Sequence, residues 1–139
     1  MRVWALLMVI VGISCNTTRN QGAAANLGMD MLSGNWKLTE IVKRTDLSTL
    51  FPKKIPELNF NATDLSVSGN NGCNNISGAF TLAEDGKLQF GPMMATKMFC
   101  PGEGEGMFME AIGKITSARL NEGVLEFTDG TDVLMKFIR

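Results

Sequence analysis

From Gly34 to the C-terminus, short apolar stretches alternate with glycine, asparagine, aspartate and proline at intervals too close for long helices. Punctuation of this kind leaves mainly short strands joined by turns. Residues 35–43 carry Trp36, Leu38 and Val42 at even spacing, which predicts a strand. Residues 43–56 are polar and end in two prolines, so a loop is expected there. Short strands follow at 58–60 and 65–67 around an Asn-Ala-Thr-Asp turn. Ile76, Gly78, Phe80 and Leu82 then alternate strictly, and Glu84-Asp85-Gly86 returns the chain into 88–90. That is a hairpin, because Asp-Gly tolerates the positive φ that a tight turn demands.

One segment has a different period. Phe108, Ala111, Ile112 and Ile115 stand at i, i+3, i+4 and i+7, one apolar stripe of an α-helix. Glu103 and Glu105 near its start and Lys114 near its end suit the helix dipole. Three more strands are expected at 117–120, 124–128 and 133–138. The sum is mainly β: seven or eight short strands in an antiparallel sheet curled around a core, one helix covering an open side.

The front of the chain is of another kind. Met1-Arg2 give a minimal positive start, and residues 3–13 form an eleven-residue apolar run. A membrane-spanning helix needs about 20 apolar residues, whereas a signal peptide needs far fewer. The run ends in Gly12-Ile13-Ser14-Cys15, which resembles the lipobox of bacterial lipoproteins, with Gly12 where leucine is usual. The resemblance implies cleavage after residue 14 and acylation of Cys15. An ordinary secretory signal, cut after one of Ala23 to Ala25, is the competing reading. Residues 15–31 are polar, small and Gly/Ala-rich, a flexible tether without an acidic cluster, and the domain is expected over 32–139. The expected location is the cell envelope, anchored in a membrane (the outer one is favoured) and facing the periplasm.

Composition removes several functions. Signal removal takes Arg2 from 13 basic residues against 14 acidic, leaving a formal charge of −2. The lysines and arginines are scattered, so there is no footprint for nucleic acid. There is no histidine, which takes away the usual general base and the commonest metal ligand. Tyrosine is absent as well. With Cys15 acylated, Cys73 and Cys100 are the remaining thiols, in an oxidising compartment where disulfides persist. A Cys73–Cys100 disulfide is therefore expected, with two buried free cysteines as the alternative.

Two blocks of residues look familiar. Gly72-Cys73-Asn74 is followed by Gly78 and Phe80, and Phe90-Gly91-Pro92 leads to Thr96, Met98, Cys100 and Pro101. Together with Trp36-Lys37-Leu38 these resemble the signature of the META domain family, small bacterial envelope proteins typified by heat-inducible lipoproteins of the HslJ type. Phe80 stands where that pattern has tyrosine, and Phe99 where it favours alanine. The resemblance covers about residues 32–139. It implies a cracked or partial β-barrel with one helix, links to envelope stress, and no established catalytic residues.

The remaining chemistry is weak. Glu103, Glu105, Glu110, Glu126 and Asp129 are conceivable acid–base groups, but Glu103 and Glu105 fall in a Gly-rich turn and are expected to be solvated. The run 102–106 has the wrong spacing for a phosphate loop, and its two acids would repel phosphate. The ten methionines suit Cu(I) in principle, yet core filling or an apolar groove for a lipid tail or peptide is favoured. The Asn-rich loop 70–75 is expected to satisfy its own backbone, with Asn71-Gly72 prone to deamidation. No metal, cofactor or enzymatic activity is expected. The partners are a membrane through the anchor, and either an apolar ligand or another envelope protein.

Overall fold

The computed structural model describes residues 27–139. The expected signal peptide, Cys15 and most of the expected tether lie outside the described residues. The last residues assigned to the tether belong to the domain instead. Leu27 is buried, and a helical turn α1 (Met29–Leu32) seats Leu32 in the core. Two isolated leucines in a polar stretch carry too little periodicity to reveal this.

After α1 come β1 (Gly34–Ile41), a short helix α2 (Leu47–Leu50), β2 (Glu57–Asn61), β3 (Ser66–Asn70), β4 (Asn75–Leu82), β5 (Leu88–Phe90) and β6 (Met94–Ala95). The long helix α3 (Gly104–Lys114) follows, then β7 (Ser117–Asn121), β8 (Val124–Thr128) and β9 (Val133–Ile138). Eight strands pair antiparallel in the order β5-β4-β3-β2-β1-β9-β8-β7, and β6 makes a separate short pairing with β4. The outer strands nearly close the ring. The Leu88 amide donates to the Thr116 carbonyl at 3.0 Å, and the Ala118 amide to the Gly86 carbonyl at 2.9 Å. Closure removes the open edges that would otherwise invite aggregation.

Alternation fills the barrel. Trp36 and Leu38 of β1, Leu58 and Phe60 of β2, Ile76 and Phe80 of β4, and Met135 and Phe137 of β9 all point inward. Phenylalanine rings occupy the centre: Phe60 meets Phe80 edge-on at 5.1 Å, and Phe127 lies 5.1 Å from Phe137. Such pairs contribute roughly 0.5–1.5 kcal/mol beyond the area they bury. The interior is thus side chains, not a lumen. The helical stripe read from sequence, Phe108, Ala111, Ile112 and Ile115, is buried in the same core.

Two local readings change. The strand expected at 65–67 starts at Ser66, because Leu65 has a left-handed backbone (φ 55°) and is exposed. Asp64 bends the chain there, its Oδ1 accepting from both the Ser66 amide and hydroxyl. The loop expected at 43–56 contains α2, whose Leu47 and Leu50, with Phe51, are buried. Their i, i+3, i+4 spacing is a helical signal, diluted by polar neighbours and prolines.

The registers define two ends of the barrel. One carries the chain's arrival at α1, the 62–65 turn and the 122–123 turn; Arg139 closes it, its guanidinium 4.7 Å from the centre of the Trp36 ring. The other carries the β3–β4 connection, the long 42–56 segment and the 129–132 turn.

Candidate functional site

The signature residues converge at that second end. Cys73 and Cys100 are joined, their Cα atoms 5.8 Å apart, which ties the β3–β4 connection to the segment before α3. Asn74, almost fully buried, sits beside the cross-link and uses every hydrogen-bonding position it has. Its Oδ1 accepts from the Met98 amide at 2.6 Å and the Thr96 hydroxyl at 2.9 Å. Its Nδ2 donates to the Met98 carbonyl at 3.1 Å and to Glu105 at 2.7 Å. Asn71, fully buried, turns its Oδ1 onto the amides of Cys73 and Asn74 and donates from Nδ2 to Glu105 at 3.1 Å.

Glu105 corrects the sequence reading. Its carboxylate is not simply solvated but receives both asparagine amides from loop residues more than thirty positions away. It also lies in the first turn of α3, where negative charge complements the helix dipole. The Gly-rich run is a turn only as far as Glu103, since α3 begins at Gly104. Nothing local signals this, because the partners meet only through the tertiary fold. The Asn-rich loop does satisfy its own backbone, and Asn70 adds an acceptor for the Gly72 amide at 2.9 Å.

Two signature glycines have steric reasons. Gly72 has φ +92°, and a Cβ there would lie 2.2 Å from the Phe51 ring. A Cβ on Gly78 would lie 2.6 Å from the Met93 sulfur. Phe80, standing where the resembled pattern has tyrosine, packs within the ring cluster and needs no polar partner. Pro101 follows the cross-link at the surface.

The carboxylates named from sequence are all engaged. Glu103 meets Arg44 at 2.6 Å, Glu110 meets Lys114 at 2.5 Å, and Glu126 meets Arg119 at 2.6 Å. Asp129 accepts from the Thr131 and Asp132 amides, which holds its carboxyl below the ordinary value. The hydrogen bond from Lys114 does the same for Glu110. Arg44 spans the end of the barrel, forking onto Asp46 while reaching Glu103, and lowers the Asp46 pKa. Among the described residues, no three Cys, Asp or Glu side chains are grouped to hold a metal ion. The methionines spread out: Met93 and Met109 line a depression of about 430 Å³ between β5 and α3, Met94 another, and Met31 a third.

A nearly closed antiparallel barrel, pinned at one end by a disulfide and a saturated asparagine network, defines a small β-barrel module whose signature residues bind one another. The META domain model matches residues 29–139, and the chain belongs to the META domain family. Among solved structures it is similar to the NMR structure of a protein from Burkholderia xenovorans, with 18% identity and a TM-score of 0.61, covering 100% of this chain and 98% of that one. It is also similar to a DUF4847 family protein from Bacteroides vulgatus, with 16% identity and a TM-score of 0.56, covering 77% and 92% of the two chains. At these identities the likeness concerns the fold alone. Comparison with curated proteins finds no match.

Proposed function

We propose that this chain is a non-enzymatic module of the bacterial cell envelope, held on a membrane by acylation of Cys15, that protects or binds envelope components under stress. The observation that carries the reading is the Cys73–Cys100 cross-link at the signature. Disulfides persist in exported proteins and are rare in a reducing cytosol. The short apolar run ending at Cys15 supports the same compartment. The non-enzymatic part is supported by the engagement of the acids: each conceivable acid–base carboxylate already has an internal partner.

A second reading has one observation in its favour. The depression on the outside of the filled barrel is of mixed character, its apolar side chains Phe90, Met93, Met109, Ile112 and Ile115 set among Gln89 and exposed backbone. It suits a peptide that offers apolar side chains together with backbone hydrogen bonds better than a bare lipid tail. The two readings are compatible, since an anchored module can also carry such a ligand.

The test of the anchor is detergent phase separation of the full chain and of Cys15→Ala. The proposal expects the first in the detergent phase and the second in the aqueous phase. Equal partitioning of the two contradicts it.

A further inference from the structure

The segment held by the cross-link and the asparagine network carries the two most exposed large apolar side chains among the described residues. Phe99 is 93% exposed, Met94 70% and Met98 47%. Their backbone is not loose. The Met98 amide and carbonyl are both bonded to Asn74, the Thr96 amide donates to the Asn75 carbonyl, and Cys100 is cross-linked to Cys73. Phe99 therefore projects into water from a fixed base. Covering a side chain on a backbone already fixed in this way costs its rotamer freedom but no further backbone ordering.

Three lysines surround this tip. Lys53 places its Nζ 3.8 Å from the Met98 sulfur, Lys54 reaches Asn75 at 3.4 Å, and Lys97 lies between Thr96 and Met98. Among the described residues, none of the three is ion-paired with a carboxylate. Of the nearby acids, Glu103 is paired with Arg44, while Glu105, held by neutral asparagine amides, and Glu57 on the adjoining strand keep their charge. Three lysines against two uncancelled acids still leave this end of an acidic protein locally positive beside one apolar projection.

We propose that this tip, Phe99 and Met98 ringed by Lys53, Lys54 and Lys97, docks on the surface of an anionic phospholipid bilayer. Lysine is depleted at protein–protein interfaces, and the three here interrupt any continuous apolar face. At an anionic membrane the same combination is favourable, since an aromatic enters the headgroup boundary while each lysine gains from the surface potential. The reach allows it. The chain arrives at the opposite end of the barrel, about 26 Å away for an eight-residue strand. The stretch from Cys15 to Leu27 spans up to roughly 40 Å when extended. A domain tethered at Cys15 can lie down and place the tip on its own membrane. The inference uses the proposed anchor for this reach alone.

The experiment places a reporter at the tip. Full chain carrying Phe99→Trp is mixed with vesicles of phosphatidylcholine alone, or of phosphatidylcholine with phosphatidylglycerol, and the wild-type emission is subtracted. Docking predicts a blue-shifted indole, quenched by brominated acyl chains, on the anionic vesicles. Lys53→Glu combined with Lys97→Glu should weaken that response by more than tenfold, at about fivefold per lysine. An indole that keeps its water-exposed emission on anionic vesicles overturns the proposal, as does a response unchanged by the lysine reversals. The anchor is judged separately by detergent partitioning, so a protein that partitions correctly but gives no indole response refutes the docking and leaves the anchor standing.

Discussion

Asn74 shows how much structure a single side chain can organise. Its four hydrogen bonds fasten β4, the Met98 segment and the start of α3, and an alanine there would strand several of these groups. Asn74→Ala should cost about 3 kcal/mol, or roughly 10 °C in melting temperature by thermal scan. Glu105 permits a finer test. One of its oxygens accepts both asparagines, and glutamine can offer an oxygen in the same place. Glu105→Gln should therefore stay within about 1 kcal/mol of the wild type, while Glu105→Ala loses about 2–3 kcal/mol. A catalytic carboxylate would differ in activity and not in stability, with the glutamine variant equally stable but inactive. Asn71-Gly72, a deamidation-prone pair by sequence, is restrained here, since the Gly72 amide is held by Asn70 and the Asn71 amide by Glu105. Peptide mapping after mildly alkaline incubation should find deamidation of Asn71 in the reduced, unfolded chain and little in the native one.

At the level of elements, much was legible and the gaps have physical causes. β8, β9 and the β4–β5 hairpin follow from alternation and turn residues, and α3 from its four-residue stripe, because in each case the signal lies within one stretch of chain. α1, α2 and the role of Glu105 depend on contacts with distant segments. Phe51 illustrates the difficulty: it is buried against Gly72, and nothing within residues 47–56 announces that partner. The cross-link joins positions 27 apart, a loop whose closure should stabilise the fold by about 3–4 kcal/mol on the chain-entropy model. Reduction should lower the urea midpoint accordingly. The loss should be steepest for amides of the Met98 segment, followed by hydrogen exchange.

For the whole molecule, the charges predict a broad pH plateau. The Asp46, Asp85, Glu110 and Asp129 pKa values are depressed in the fold by hydrogen bonds from Arg44, Lys87, Lys114 and backbone amides. A depressed carboxyl gives its full stabilisation above its unfolded value and loses it as pH falls through the folded one. Lys87 and Lys136 are raised by Asp85 and Glu40, so their contribution is complete below the unfolded value and is lost as pH rises through the folded one. With no histidine to titrate between these ranges, the melting temperature should be level from about pH 5 to pH 9 and fall on either side. A step near neutrality would contradict this.

The same scale decides the central claim, that this META domain is an exported, acylated and cross-linked envelope module. Intact-mass spectrometry of the protein as isolated from the membranes of its own cells addresses both covalent features together. The account predicts a chain beginning at Cys15 that carries acyl mass and shows no alkylation of Cys73 or Cys100 until it is reduced. A chain with an unmodified Cys15, or one in which both remaining thiols alkylate without reduction, would contradict it.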